Sequence, residues 1–491
     1  MLILYNPPSS ANRKPILPMS LLAVGALLEG THEYRIVDGN LERDPLDTLD
    51  AMIGATGADV LGMTVMPGPQ LTDAVPLCRE LKRRHPGLTI VWGGYFPTQH
   101  YDVCLRADYV DFVVRGHGEV TFRALLDHLR RAEDPRGLPG LAFADPVTGE
   151  PISNPHAPIP HPEEMPDFPY ERVDSARYIR RTFMGDRTLP HHSSYGCPFR
   201  CNFCAVVNMV DGRWLAQSAE RTARTARTLA SRWGVDAVEF YDNNFFVHEG
   251  RTAEFAERIL PDGLAWWGES RIDTLLRYSD RTWELMQRSG LRMVFLGAES
   301  GSDETLRRMN KGGTATTAKT LEIARKMAEH GIVPEFSFVL GNPPDPEEDA
   351  AQTMDFIRRL KRINPASEII LYLYTPVPLA GELYDRARAD GFSFPETLDD
   401  WVHPVWQEFS QRRNSQVPGV RDPLRNRIRD FERVLNAYHP TVTDIRLGAL
   451  HRAVLRGVSA WRYHLRLYDF PLELRALQRV LAYQRPETSG F

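Results

Sequence analysis

Short apolar segments alternate with amphipathic segments along most of this 491-residue chain. In the N-terminal part, apolar runs predict strands at residues 2–5, 34–38, 60–64, 89–92 and 109–114. Helical periodicity between them predicts helices at residues 19–28, 46–54, 71–85 and 120–131. Strands that alternate with helices form parallel sheets covered by helices. The alternation therefore predicts an α/β fold that begins with a doubly wound, Rossmann-like domain.

The same alternation resumes after residue 185, with strands predicted at 189–194, 237–242, 265–269, 293–298, 333–340 and 368–374. Six βα units predict a partial (β/α)6 version of the eight-unit TIM barrel, in which chemistry occurs at the carboxyl ends of the strands. Residues 146–184 are rich in proline, which predicts a linker, and the pattern past residue 400 is helical. The predicted divisions are residues 1–145, 146–184, 185–400 and 401–491.

Composition limits the location and the partners. A net charge of −5 gives no electrostatic reason to expect nucleic acid. The sequence contains no apolar run long enough to span a membrane, and residues 1–8 are too short and uncharged for a signal peptide. Three of the five cysteines are clustered, which argues against a disulfide framework and for a reducing compartment. We therefore expect a cytoplasmic protein that binds neither membranes nor nucleic acid.

The clustered cysteines are Cys197, Cys201 and Cys204, at the spacing C-x3-C-x2-C. Thiolates bind iron–sulfur clusters, and closely spaced thiolates allow one short loop to wrap a cluster. No fourth ligand is obvious, because Cys78 and Cys104 lie far upstream. Three ligands for four irons leave one iron open to coordinate a small molecule. A zinc knuckle or three unrelated buried thiols is the alternative.

This loop closely resembles the cluster-binding motif of the radical S-adenosylmethionine (radical SAM) enzymes. Gly196 and Pro198 match the turn, and Phe203 lies where the family places an aromatic residue beside the adenine. The resemblance implies that the three cysteines hold a [4Fe–4S] cluster and that its open iron chelates SAM. It also implies that the reduced cluster cleaves SAM to a 5′-deoxyadenosyl radical, with electrons from a flavodoxin- or ferredoxin-like donor.

Carboxyl ends of the predicted barrel strands supply candidate SAM ligands. Arg271 suits the carboxylate, since guanidinium groups bind carboxylates bidentately, and Glu299 and Ser300 suit the hydroxyls or the ammonium. Residues 297–302, with Lys311 downstream, are similar to a segment of cobalamin-type radical SAM enzymes, and residues 242–245 resemble their segment after the second strand. The predicted SAM site is Phe203, Asp242, Arg271, Glu299 and Ser300. For each residue alone, a salt bridge or a helix cap is the alternative.

The strand ends of the N-terminal region resemble those of the cobalamin-binding domains that precede many radical SAM domains. Ligands of doubly wound sheets bind outside these ends. The predicted cobalamin contacts are Asn6, Thr64, Gly93, Gly94 and Gly116. The sequence departs from the methionine-synthase type, because residues 6–10 contain no histidine. A Rossmann-like domain that has lost cobalamin is the alternative.

Together, these resemblances imply a cobalamin-dependent radical SAM enzyme. The reaction first implied is C-methylation of an unactivated carbon in a small metabolite. Radical oxidation, cyclisation or ring rearrangement, as in anaerobic tetrapyrrole cyclases with this domain order, is the second candidate. A tRNA methylthiotransferase is a third, although the N-terminal region lacks cysteines for a second cluster and the C-terminal region is helical. A non-catalytic cobalamin-binding regulator is hard to reconcile with the cysteine loop.

Overall fold

Two sheets organise the computed structural model, which describes residues 1–10, 13–379 and 381–481. The strands of the first sheet are β1 (Leu2–Asn6), β2 (Tyr34–Asp38), β3 (Val60–Thr64), β4 (Thr89–Gly93), β5 (Phe112–Val114), β6 (Leu141–Ala144) and β7 (Pro151–Ser153). They lie in the order β2-β1-β3-β4-β5-β6-β7, with β1 to β5 parallel. The helices of this part are α1 (Met19–Leu28), α2 (Pro45–Thr56), α3 (Pro69–Arg84), α4 (Tyr95–Gln99), α5 (Tyr101–Leu105) and α6 (Glu119–Arg130). The order 2-1-3-4-5 is a doubly wound one, so the predicted fold class is confirmed.

The first sheet extends past the predicted domain boundary at residue 145. Strands β6 and β7 form an antiparallel hairpin, and β6 also pairs antiparallel with β5. A hairpin of this kind covers an edge that would otherwise present unpaired backbone groups. The sheet therefore ends at Ser153, inside the segment predicted as linker.

The remaining linker residues pack against both domains. Tyr178 Oη donates to Asp38 at the end of β2 (2.8 Å), and Tyr170 Oη lies 2.8 Å from His191 Nδ1. Arg180 then pairs by its backbone with Thr188 at the edge of the second sheet. These contacts hold the linker on the surface of both domains.

The second sheet is the predicted partial barrel. Its strands are β8 (Thr188–His191), β11 (Ala237–Phe240), β12 (Ala265–Ser270), β13 (Leu291–Glu299), β14 (Val333–Leu340) and β15 (Glu368–Leu373). All neighbours are parallel, in the order β15-β14-β13-β12-β11-β8. The predicted first strand is divided, because β8 ends at His191 and a separate hairpin of β9 (Ser194–Gly196) and β10 (Trp214–Ala216) begins at Ser194.

The second half of the chain contains the remaining helices. They are α7 (Val206–Val210), α8 (Ala219–Trp233), α9 (Glu249–Ile259), α10 (Ile272–Leu275), α11 (Asp280–Arg288), α12 (Asp303–Arg308), α13 (Thr317–Glu329), α14 (Pro346–Ile363), α15 (Glu382–Ala389), α16 (Leu398–Trp401), α17 (Pro404–Ser410), α18 (Asp422–Tyr438), α19 (Ala449–Leu465) and α20 (Leu472–Leu481). The C-terminal region is helical as predicted, and residues 482–483 of its last predicted helix lie outside the described residues. Phe431 and Val434 of α18 join the core of the barrel. In the described part of the chain, no helix has the length and apolarity needed to cross a membrane.

The two faces of the barrel strands differ in character, because successive side chains of a strand point to opposite sides. Trp266 is 1% exposed and packs among Phe240 and Phe245 under the helices. Its neighbour Trp267 faces the other way and contacts the ring of Tyr241, with centroids 5.9 Å apart. The barrel interior is therefore aromatic and polar, whereas its outer face is apolar.

Candidate active site

The cysteine loop begins at the end of β9, inside the connection between β9 and β10. Gly196 has φ +82°, and a Cβ at this position would lie 2.3 Å from the carbonyl oxygen of Arg213. Only glycine fits such a turn without displacing the backbone. This steric requirement explains why a glycine occupies position 196 in the turn.

Asp242 holds the base of this hairpin. Its carboxylate accepts hydrogen bonds from Ser193 N and Ser193 Oγ, both at 2.6 Å, and from Ser194 Oγ at 2.7 Å. The side chain is completely buried. The carboxylate thus bonds to the chain that leads into the cysteine loop, and its role as a SAM ligand stays a prediction.

The thiols of the loop lie beside positive charge and hydrogen-bond donors. Arg271 Nη1 lies 3.4 Å from Cys201 Sγ, and Asn244 Nδ2 lies 3.7 Å from Cys197 Sγ. Burial raises the pKa of the Cys201 thiol, and the charges of Lys311 and Arg271 oppose that rise. Donors and cations next to buried sulfur suit thiolates of an iron–sulfur cluster, whose potential depends on such contacts.

The described residues contain no three Cys, His, Asp or Glu side chains arranged around a single metal ion. Cluster ligands bind different iron atoms, so they need not converge on one point. Cys78 and Cys104 are both fully buried in the N-terminal core, away from the loop.

Arg271 has partners that the sequence did not predict. Its guanidinium forms a two-point ion pair with Asp273, both bonds at 3.0 Å, and donates to the carbonyl oxygen of Lys311 at 2.6 Å. The same group stacks on Phe199 of the cysteine loop, 3.7 Å from the ring centroid. These contacts connect Arg271 to the cysteine loop and to Asp273, and its role as the ligand of the SAM carboxylate stays a prediction.

Glu299 and Ser300, at the end of β13, have different hydrogen-bond partners. Glu299 has φ +65°, a conformation that costs energy in a residue other than glycine, and its Oε1 accepts from Lys311 Nζ at 2.9 Å. The carboxylate of Glu299 lies near the cysteine loop, where its charge acts on Cys201. Ser300 is completely buried and its hydroxyl lies 3.4 Å from Asp349 and Thr353, and its role as a SAM ligand stays a prediction.

Two further groups near the loop were not identified from the sequence. The Oδ1 atom of Asn244 is buried and has no hydrogen-bond partner among the described residues. An orphaned acceptor of this kind is costly unless a ligand satisfies it, and the SAM ammonium is a suitable donor. Glu269 is the second-to-last residue of β12, where burial and the nearby Asp242 carboxylate raise the pKa of its carboxyl to about 8. Phe203 is half-buried at the interface between the domains.

A cavity of about 340 Å³ lies between the N-terminal sheet and the barrel. Its wall on the first domain includes Thr64, Gly93, Gly94 and Gly116, four of the five predicted cobalamin contacts. Tyr195 and Asn243 of the barrel and three residues of α7 form the opposite wall. Ligand pockets of small molecules commonly start at this size.

Asn6, the fifth predicted contact, does not line this cavity. Its Nδ2 donates to Asp38 at 2.9 Å, and its Oδ1 accepts from Gln70 at 2.9 Å. The side chain is 5% exposed. Both polar atoms of Asn6 therefore join β1, β2 and α3, and its role as a cobalamin contact stays a prediction.

Glycine keeps the cavity open at the end of β4. Gly94 has φ +96°, and a Cβ there would lie 2.8 Å from Thr64 Oγ1. A bulky, flat cofactor needs such close access to the backbone. The glycines therefore leave the backbone at the carboxyl ends of the sheet open to close approach by a flat ligand.

Filling this cavity tests that fit. Val24 and Leu27 are both half-buried on α1, but only Val24 lines the cavity. We expect Val24→Trp to lower cobalamin uptake, since overpacking costs about 1–3 kcal/mol, or roughly five- to 150-fold in affinity. Leu27→Trp is the matched control. Cobalamin content is measured by absorbance, with iron content measured in parallel, and it should fall only in Val24→Trp. Equal cobalamin uptake by both variants would show that cobalamin does not bind in this cavity.

Comparison with known proteins agrees with this geometry. Residues 192–357 match the family model of the Radical SAM superfamily, and residues 13–126 match that of the B12 binding domain. The chain is a radical SAM protein with a B12-binding domain. These two domains identify SAM and cobalamin as cofactors of the chain. The [4Fe–4S] cluster is the third cofactor, because it belongs to the radical SAM domain.

Several relatives share both parts of this radical SAM protein. An uncharacterized methyltransferase of Pyrococcus horikoshii is 26% identical over 368 residues, which cover 73% of this chain and 78% of the relative. The anaerobic magnesium-protoporphyrin IX monomethyl ester cyclase of Synechocystis is 28% identical over 74% of this chain and 72% of its own. The radical SAM methyltransferase TsrM of Kitasatospora setae, solved with cobalamin and a [4Fe-4S] cluster bound, has the same fold, with a TM-score of 0.64 and 19% identity over 80% of this chain and 79% of its own.

Proposed function

We propose that this radical SAM protein is a cobalamin-dependent methyltransferase that methylates an unactivated carbon of a small molecule. One observation carries the proposal. The cavity at the strand ends of the B12-binding domain is closed on its other side by Tyr195, Asn243 and α7, which directly flank the cysteine loop. A cofactor held by the first domain would therefore face the cluster loop. The methyltransferases among the relatives support this choice of reaction.

Residues around the loop divide the binding tasks. Cys197, Cys201 and Cys204 would hold the cluster, with Arg271 and Asn244 donating toward two of the sulfurs. Asn244 Oδ1 and the free oxygen of Glu299 would accept from the SAM ammonium, and Phe203 would contact the adenine. When bound, the cluster and SAM supply a radical that removes a hydrogen atom, and cobalamin supplies the methyl group.

Glu269 would handle a proton inside the barrel. A carboxyl with a pKa near 8 is mostly protonated at neutral pH, so it adds little negative charge to the interior. Such a group can donate a hydrogen bond to the substrate, or exchange a proton with it, at its carboxyl oxygen. Trp267 and Tyr241 line the same interior and would limit the size of the substrate.

The proposal extends to the partners and the location. The substrate would be a small molecule, the electrons would come from a flavodoxin- or ferredoxin-like protein, and the free thiols would suit the cytoplasm.

The products of SAM test the reaction. Methylation of this kind consumes two SAM molecules, so the reconstituted enzyme should release S-adenosylhomocysteine and 5′-deoxyadenosine in equal amounts. Anaerobic incubation with metabolite extract and SAM that carries a trideuterated methyl group should place the label in one product, measured by mass spectrometry. A Cys201→Ala variant is the control. Turnover that forms 5′-deoxyadenosine but transfers no label would contradict methylation.

That contrary result would favour the second candidate, radical cyclisation or ring rearrangement with the same cofactors. The similarity to the Synechocystis cyclase, over 74% of this chain, is the observation that keeps this candidate. Its signature would be a substrate-dependent yield of 5′-deoxyadenosine without S-adenosylhomocysteine.

A further inference from the structure

A second, smaller cavity of about 60 Å³ lies between the two domains. Residues after β4, including Tyr95 and His100, form one side, and residues after β15, including Thr375, form the other. Phe394, Trp401 and Phe409 supply aromatic walls. A water molecule occupies about 30 Å³ in the liquid, so this cavity has room for a group about the size of a carboxylate or a phosphate.

The polar groups of this small cavity are donors, and none is acidic. Among the described residues that line it, there is no aspartate or glutamate, and the polar ones are Tyr95, His100, Thr375, Ser410 and Arg412. Burial lowers the pKa of His100 to about 4, so this imidazole is neutral at neutral pH. Arg412 therefore supplies the only formal charge of the lining residues.

Arg412 is held in place by its backbone. Its carbonyl oxygen accepts from Leu373 N in β15 at 3.0 Å, and its φ is +53°, a strained value for arginine. The guanidinium lies over the ring of Tyr372, 5.4 Å from the centroid. No ion pair joins Arg412 to an acid in the described part of the chain. Strain of this kind persists at sites where the surrounding structure needs a side chain in a given direction.

Helix α7 lies between this cavity and the larger one. Its Val206, Met209 and Val210 line the larger cavity. Its Asn208 donates to the carbonyl oxygen of Pro378, a lining residue of the smaller cavity, at 3.0 Å. Because α7 follows the cysteine loop directly, the small cavity borders the same reaction centre from the opposite side.

We propose that the small cavity binds an anionic group of the substrate, a carboxylate or a phosphate, through the guanidinium of Arg412 and the hydroxyls of Tyr95 and Thr375. Guanidinium groups bind both anions bidentately, and a buried site strengthens such hydrogen bonds. The substrate class is then a small metabolite that carries a carboxylate or a phosphate. This inference rests on the proposed function for the identity of the bound molecule as substrate.

The test uses inorganic phosphate and acetate as probes of the full-length, anaerobically reconstituted protein. Thermal unfolding is followed as each anion is added, against sodium chloride at the same ionic strength, because a ligand raises Tm according to its Kd. The variants are Arg412→Gln, the charge-conserving Arg412→Lys, and Arg413→Gln, which removes the same charge at the neighbouring exposed residue.

We expect the wild type and Arg413→Gln to bind at least one probe alike. Loss of a charge-assisted hydrogen bond should weaken binding roughly ten- to a hundredfold in Arg412→Gln, and Arg412→Lys should recover part of it. The tighter of the two probes identifies the anion class. No anion-specific shift in the wild type, or equal shifts in Arg412→Gln and wild type, would overturn the proposal. These outcomes do not depend on methyl transfer, so the anion site and the proposed reaction can fail separately.

Discussion

Simultaneous replacement of Cys197, Cys201 and Cys204 by alanine should abolish both the brown chromophore of the cluster and all cleavage of SAM. The three residues supply every thiol of the loop, and without them the remaining donors, such as Arg271 and Asn244, have no sulfur to contact. Iron and sulfide analysis, the visible spectrum and assay of 5′-deoxyadenosine measure the effect. The expected change is complete loss, because an iron–sulfur cluster is held by thiolates.

Cys78→Ala and Cys104→Ala provide the matched controls. Both thiols are fully buried in the N-terminal core, where Cys78 Sγ lies 3.7 Å from Met63 Sδ. Removing one sulfur there can cost stability, but the iron content should remain that of the wild type. If the triple variant still bound stoichiometric iron and sulfide, the assignment of the loop as the cluster site would be wrong.

Arg271→Ala should destabilise the cysteine loop even when no SAM is present. The side chains of Arg271 and Asp273 are 8% and 4% exposed, and removal of the cation leaves the carboxylate buried without its partner. Breaking a buried ion pair in this way costs about 3–5 kcal/mol. Denaturant unfolding and iron content should both show the loss. Arg277→Ala, an exposed arginine of the same segment, is the control.

A double variant separates the structural role of Arg271 from direct binding of SAM. Arg271→Ala with Asp273→Ala removes both charges, so it should be more stable than Arg271→Ala alone. A residue that only bound the SAM carboxylate would behave differently: its loss would weaken SAM affinity and leave stability and cluster content unchanged. That second pattern would support the prediction from the sequence that Arg271 binds the SAM carboxylate.

The features predicted best depend on contacts that are close in the chain. Strand β2, β3 and β14 have the bounds that their apolar runs predicted, because periodicity of two or 3.6 residues reflects which side chains face the core. Where the chain turns within a predicted strand, as between His191 and Ser194, periodicity alone did not show the break. The pairing of the β6–β7 hairpin with the first sheet was likewise not predicted from the sequence.

The contacts that the sequence did not predict concern polar side chains whose partners are distant in sequence. Asp242 bonds to Ser193, 49 residues away, and Arg271 contacts Cys201, 70 residues away. Asn6 bonds to Gln70, 64 residues away. Each residue has the chemistry that was expected of it, and each lies at the expected strand end. Its donors or acceptors are nevertheless taken by the protein itself, which residue type cannot reveal.

The sequence by itself determined the two α/β domains, the closely spaced thiols and the glycines at the strand ends, because each of these depends on local periodicity or on spacing within a few residues. Only the tertiary structure decided which groups remain available to ligands. Among the described residues, it left Asn244 Oδ1 buried without a hydrogen-bond partner, and it placed Arg412, which belongs to no predicted motif, in a cavity with no acidic lining residue. The physical reason is that availability is set by all neighbours in space, and most of those neighbours come from distant parts of the chain.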